Sequence, residues 1–503
     1  MRASSIQRWA AGMVAAGSAI CIGAEASGPA SRSLTLPECF ELALQHNLQV
    51  QIERYSPELA RYNLNLAYGA YDPAFEVGLV HDYLDQPERF DPKKATPDMA
   101  YRQTGDLLTS GLVGQLPFGT SYSLDLGSDW LDARNPQRQQ DYAETAVRAG
   151  LTVRQPLLRN FRIDSAAQRI LVSRKNLKIS ELSLRWQVMN TVVGVEVAYY
   201  DLIQAAETVK LQEKAIELAR TFAREMGQRA QAGTALALDR QQAEMQVEQR
   251  QADLAVAQEA LGTRQNALKN LLTDDFASWV AVELEPADPL PPGPAPVDLS
   301  ASWQSAMSDR PDLMQSRLEL EKQDIVLRYH RNQIFPSLDL VASLGVAGVR
   351  DSFGDAIEDM RSVEHPYYSY GIVFSVPLGN RTARNQYRAS QGLRKQSLLR
   401  HKELEQNIQV RVDSELRIVR LAWRRVQSAR QARQYAEAAW EAEQERVRRG
   451  LSITYYVLES QQKLTETRVA EVGAMADYNK ALARLSLEDA TILTRHRLDL
   501  EVK

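Results

Sequence analysis

Residues 195–209 read VEVAYYDLIQAAETV, and Val195, Tyr199, Leu202, Ala206 and Val209 recur there at alternating steps of four and three. That is the stripe of a helix packed lengthwise against another helix. It lies in a stretch without proline from 157 to 285, and a second proline-free stretch runs from 378 to the end. Proline is excluded from helix interiors by its missing N–H and its ring clash, so both stretches are free to form long helices. Further on, Val247, Leu254, Leu261 and Leu268 recur every seven residues, as do Val457, Leu464, Glu471, Tyr478 and Leu485 with one charged exception. Each stretch therefore reads as a helical hairpin. The turns fall near Gly233 and Gly450, where glycine can take the positive φ that ends a helix. A helix over about 163–228 would be roughly 100 Å long, and the return helix over 236–272 spans about half of that. Shorter pieces over 56–71 and 313–333 extend the return helices of 236–272 and 454–487 end to end, so that each pair matches a long helix, the second over 382–449.

Residues 34–50 align without a gap on 297–313, placing Leu36, Phe40 and Ala43 on Leu299, Trp303 and Ala306. The same 263-residue offset puts Pro73 on Pro336 and Phe75 on Leu338, and Gln155-Pro156-Leu157 returns as Val376-Pro377-Leu378. The chain is a tandem duplication, with a first repeat over 27–285, a proline-rich linker over 286–296 and a second repeat over 297–503.

Between the landmark prolines of each half the pattern changes to period two. Tyr122, Leu124, Leu126 and Trp130 alternate with Ser121, Ser123, Asp125 and Asp129. Tyr368, Tyr370, Ile372 and Phe374 alternate with Ser369, Gly371 and Ser375, and Leu338, Leu340, Ala342 and Leu344 with Ser337, Asp339 and Ser343. These are strands about ten residues long, the length that crosses a bilayer when tilted. A half-buried soluble sheet shows the same alternation, and the secretion signal favours the barrel.

That signal covers residues 1–26, where Arg2 and Arg8 precede an apolar stretch over 9–22 and Ala24-Glu25-Ala26 forms a small-x-small cleavage site. No later segment offers about 20 consecutive apolar residues, so membrane crossing must use strands. Cleavage removes Cys21, whose flanks match a lipidation signal poorly, and leaves Cys39 as a free thiol. With 44% apolar and 25% charged side chains the chain buries a substantial core, and a net charge of -4 argues against nucleic-acid binding. The six histidines share no metal-ligand spacing, and no phosphate loop, dinucleotide fingerprint or nucleophile elbow occurs. No catalytic, cofactor or metal site is expected.

The duplicated unit of helix, strand hairpin and long helical hairpin, with Gln155-Pro-Leu-Leu and the Arg-x-x-x-Gly turns, resembles the TolC-like outer-membrane factor family across the whole mature chain. The resemblance implies a mainly α fold with β: a homotrimer whose hairpins form a twelve-helix α-barrel joined to a transmembrane β-barrel shared between subunits. It implies an outer-membrane exit channel with a large periplasmic portion, surrounded by outer-membrane lipid. A periplasmic adaptor would dock at its tip, and an inner-membrane RND or ABC transporter would drive export. One departure stands out. The first half holds four alternating segments, near 75–83, 106–116, 121–130 and 146–155, where the family pattern has two. The surplus hairpin, turning at Pro117-Phe118-Gly119-Thr120, either enlarges the barrel to six strands per chain or forms an extracellular excursion, and the family's four is the expectation.

The resemblance also assigns residues. Glu459, nine beyond Gly450, is the candidate for a ring of carboxylates at a channel constriction, narrowed by Tyr455 and Tyr456, although two adjacent tyrosines on one helix cannot both face the axis. Asp239 matches a residue that tethers neighbouring hairpins shut. Arg229, Gly233, Arg446, Gly450 and Leu451 match the tip motifs that contact the adaptor, simple helix reversal being the alternative. Tyr83, Trp130 and Tyr368 are expected at membrane–water boundaries. Two other readings of the whole chain are an exported coiled-coil scaffold, which leaves the strand hairpins unexplained, and a periplasmic adaptor, which usually carries one helical hairpin.

Overall fold

The structure is a computed structural model and describes residues 31–498 apart from 88, 92, 94, 95, 99, 100, 136–139, 233–235, 292 and 450. The expected signal over 1–26, Cys21, Gly233 and Gly450 therefore lie outside the described residues.

The first half opens with β1 (Ser31–Leu34), α1 (Leu36–His46) and α2 (Leu48–Tyr68). Asn47 breaks the chain between the two helices and caps α2, its side-chain oxygen accepting from Gln49 and Val50 N–H at 3.0 and 3.2 Å. The pattern suggests a start near residue 56, yet α2 begins at Leu48 and carries Pro57 inside it. The cap fixes the start, and a single proline forfeits one ladder bond without ending the helix. Next come β2 (Ala74–Gln86), the short pair β3 (Arg89–Asp91) and β4 (Thr96–Asp98), then β5 (Tyr101–Gln115), β6 (Ser121–Asn135) and β7 (Gln140–Pro156). The hairpin α3 (Ser165–Gln231) and α4 (Ala237–Leu272), a single turn α5 (Phe276–Trp279) and β8 (Glu283–Pro286), parallel to β1, close the half.

The second half repeats the plan with α6 (Leu299–Asp309), α7 (Pro311–Asn332), β9 (Ser337–Arg350), α8 (Phe353–Arg361), β10 (Pro366–Ser375), the hairpin α9 (Arg381–Arg448) and α10 (Thr454–Glu488), and α11 (Ile492–Arg495). The offset of 263 residues carries Leu36–His46 onto Leu299–Asp309 end for end. It also carries individual bonds. Asn47 donates to Leu271 O at the end of α4 (3.1 Å), and Arg310, its counterpart, donates to Glu488 O at the end of α10 (2.9 Å). Arg54 reaches Leu44 O at 2.8 Å just as Arg317 reaches Met307 O at 3.2 Å.

Four helices stand side by side at every level. Near the sheet the neighbours run α2, α3, α7, α9, and farther out α4, α3, α10, α9. The opening stripe faces into this layer: Val195, Tyr199, Leu202 and Val209 are all buried, and the Tyr199 hydroxyl donates to Leu34 O at 2.9 Å. One core joins α1, α3, α4 and the end of α10, and another joins α6, α9 and α10 through Ala306, Ile408, Val412, Leu416 and Tyr478. The outer helices are left with uncovered stripes. On α2, Leu48, Ile52, Tyr55, Leu59, Tyr62 and Leu66 follow the same four-and-three steps and are all more than half exposed. On α9, exposed Leu399, Val410 and Leu421 recur every eleven residues.

All six long strands form one antiparallel sheet in the order β10-β9-β7-β6-β5-β2. The expected four strands per chain are thus corrected to six. The surplus hairpin is part of the sheet, because β5 and β6 pair with β2 and β7 along nearly their full lengths.

Candidate channel wall and hairpin tips

Strand register sorts the sheet into two faces. Phe75 lies opposite Leu112, Leu112 opposite Leu124, Leu124 opposite Leu151, Leu151 opposite Leu344 and Leu344 opposite Tyr368, so one rung crosses all six strands on a single apolar face. Val77, Leu79, Leu126, Leu340, Ile372 and Phe374 fall on that face, each at least 41% exposed. Exposed apolar area of this extent is what a water-facing surface avoids. The opposite face carries Glu76, Ser123, Asp125, Asp129, Thr152 and Ser343. Tyr83, Trp130 and Tyr368 all lie on the apolar face, Tyr83 and Tyr368 at 62% and 79% exposure. Charged groups appear on it only toward the end away from the helices, where His81 meets Asp106 at 2.7 Å and Arg102 meets Asp85 at 3.0 Å.

At the far tip, Tyr455, Tyr456 and Glu459 line a groove of about 930 Å³ together with Met245 of α4 and Glu443 and Arg446 of α9. Glu459 is exposed. The two tyrosines are 54% and 52% exposed and meet edge to face, with ring centroids 5.6 Å apart. The end of α9 is closed by Leu451 N–H donating to Arg446 O at 2.8 Å, which satisfies a carbonyl left free in the last turn. Arg446 also pairs with Glu443 at 3.1 Å, which leaves Leu451 exposed beyond the turn.

At the first tip, Arg229 is exposed in the last turn of α3. Asp239 has a local role, its carboxylate accepting Leu236 N–H at 3.1 Å and satisfying a free donor at the start of α4. Within one chain the structure does not bring Asp239 to Glu459.

The sequence matches the outer membrane efflux protein family over residues 120–273 and 303–487. The chain belongs to that family. The family supplies outer-membrane efflux channels, not enzymes, and the expected fold of long helical hairpins joined to a sheet is the one observed. No curated protein matches the sequence. Among solved structures, the chain resembles the CmeC outer membrane channel of Campylobacter jejuni at 15% identity and a TM-score of 0.64, over 91% of this chain and 86% of that one. It resembles a membrane protein of Pseudomonas aeruginosa at 17% identity and 0.62, over 90% of each chain. The open state of the Neisseria gonorrhoeae MtrE outer membrane channel is similar at 14% identity and 0.61, over 91% of this chain and 89% of that one.

Several polar groups in this family member carry architecture that spacing did not reveal. Glu471, the charged exception in the α10 repeat, pairs with Arg433 at 2.6 Å and Arg430 at 3.4 Å of α9, and Glu437 joins the network through Arg468. Arg310 is fully buried, holds Asp312 and Glu488 at 2.8 and 2.5 Å, and lies 4.9 Å over the Trp186 ring of the first half. Burial pulls its pKa down, but the two carboxylates outweigh burial and raise it. Asp359, Glu364 and His365 bring one ligand atom each within 4.8 Å of one another. Asp359 is already committed to Arg350 and to Val349 N–H, so that trio is a strand-to-helix clasp. No helix of the described residues is long and apolar enough to cross a membrane.

Proposed function

We propose that this chain is one subunit of a homotrimeric exit channel that sits in the outer membrane, crosses the periplasm and passively conducts substrates delivered by an inner-membrane pump. The observation that carries the reading is the pairing of an exposed apolar sheet face with two unfinished edges. Strands β2 and β10 end the sheet, and in lipid each unpaired backbone group costs several kcal/mol. The uncovered stripe of α2 adjoins β2, and α9 adjoins β10, so one head-to-tail contact between copies covers both kinds of edge and closes a ring. The polar sheet face then lines a lumen and the apolar face meets lipid, with Tyr83, Trp130 and Tyr368 near its boundaries.

The tips of α3–α4 and α9–α10 are the docking points for a periplasmic adaptor, through Arg229, Gly233, Arg446, Gly450 and Leu451. An RND or ABC transporter supplies the energy. Glu459, brought to the axis by symmetry, forms a ring that favours cations, with one of Tyr455 and Tyr456 narrowing the aperture beside it. Asp239, besides capping its own helix, ties neighbouring hairpins together.

The test is to express the full-length chain in a Gram-negative host, extract outer membranes in mild detergent, and measure mass and single-channel conductance. A trimer of small conductance, whose cation preference drops in Glu459→Ala, is expected. A soluble, non-conducting species would overturn the channel.

A further inference from the structure

The duplication assigns a counterpart to β2 and β7 but to neither β5 nor β6. The start of β2 maps onto the start of β9, and Gln155-Pro156-Leu157 at the end of β7 returns after β10 at an offset that has dropped from 263 to 221 residues. The surplus sits in the middle of the sheet and is tied into the junction beneath it. Its turn places Phe118 and Gly119 at φ values of 78° and 81°, and Leu116 N–H donates to Thr120 O at 2.7 Å. The Thr120 hydroxyl bonds the Gln155 side chain. Gln115 donates at 2.6 Å to Asp164, whose other oxygen caps α3 through Ala167 N–H at 2.7 Å.

Wall widths give the hairpin a purpose. Six strands spaced ~4.8 Å and tilted about 40° span roughly 38 Å of barrel circumference, whereas four span about 25 Å. Four helices spaced about 9–10 Å also span roughly 38 Å. With β5 and β6 present, the sheet of one subunit is about as wide as its helical layer.

The polar face adds chemistry. Register places Glu76, Asp82, Asp125, Asp129, Glu144 and Asp339 on it, against Arg148 and Arg154. Arg154 is committed to Asp339, and the surplus hairpin contributes Asp125 and Asp129 with no cation of its own.

We propose that β5 and β6 are a wall insertion that brings the shared barrel to eighteen strands, six from each of three chains, and makes its lumen a wide acidic vestibule favouring cationic substrates at the exit. This rests on the trimeric channel reading. Barrels of 16–18 strands enclose an aqueous channel, and a lumen lined by one sign of charge concentrates ions of the other.

The experiment uses single cysteines in the full-length chain in outer membranes of intact cells, probed with cationic and anionic methanethiosulfonates. Ser123→Cys is expected to react and Leu124→Cys to be protected. At Ser123→Cys the cationic reagent is expected to react about tenfold faster, an advantage lost when Asp125→Asn and Asp129→Asn are combined. Electron microscopy of the detergent-extracted oligomer is expected to count eighteen strands. Equal labelling of Ser123→Cys and Leu124→Cys, no charge preference, or a membrane-embedded trimer with twelve strands would overturn this inference and leave the channel reading standing. A monomer recovered outside the membrane fraction would overturn the channel reading itself.

Discussion

Lys480 Nζ lies 2.8 Å from Asp201 Oδ1, a residue 279 positions away that belongs to the long helix of the other repeat. Asp477 holds the same ammonium at 2.9 Å, and Arg264 approaches Asp201 at 3.4 Å. With Lys480 and Asp201 only 14% and 20% exposed, this cluster pins the two hairpins together midway along the rod.

The pin makes the first prediction. Burial would lower the Lys480 pKa, but Asp201 and Asp477 outweigh it and raise it. A folded pKa above the unfolded one means the stabilisation is complete below the unfolded lysine value of about 10.4 and is lost as pH rises through the folded value. Lys480→Met should cost about 1–3 kcal/mol by thermal unfolding of the extracted protein at pH 7, and the penalty should shrink only at strongly alkaline pH.

Gly119 makes the second. At a φ of 81°, a Cβ here would meet Asn160 O at 2.5 Å and Pro156 Cγ at 3.0 Å. Gly119→Ala should therefore cost about 1–3 kcal/mol and reduce the yield of assembled protein in outer membranes, read by quantitative blotting after detergent extraction. A yield equal to the parent's would show that the turn does not support the wall.

Third, Glu471→Ala removes the carboxylate shared by Arg433 and Arg430. The loss should be about 1–3 kcal/mol, and hydrogen exchange should speed up along 430–437 and 464–475 while α3 and α4 stay unchanged.

Fourth, burial pushes the Cys39 thiol up to about 12, and its side chain is fully covered. Maleimide should leave it unmodified at pH 8 in the folded protein and label it completely in guanidinium. Labelling of the native state would contradict the packing of α1 on α3.

Much of the architecture is legible because helix and strand periods are local. The prolines at 156, 286 and 377 bracket the two helical hairpins, and the observed ends of α4 and α10 fall within a residue or two of those the apolar repeat implies. The alternation at Tyr122–Trp130 is the alternation of the sheet faces. The start of α2 is not legible in this way, since Pro57 argues for a boundary that the Asn47 cap overrides. Of the candidate site, Glu459, Tyr455 and Tyr456 do share one groove, whereas Asp239 caps its own helix, a short-range bond that a family register does not encode.

Sequence by itself determined the duplication, the helical rods, the two-faced strands and the free thiol, since each depends on residue identity at fixed spacing along the chain. Only the tertiary structure decided that β5 and β6 belong to the six-stranded sheet, that Glu471 pairs with arginines across the hairpin, and that Asp201 meets Lys480. Those outcomes depend on which distant segments pair, and backbone hydrogen bonds and ion pairs place no mark on the local pattern that says which partner they take.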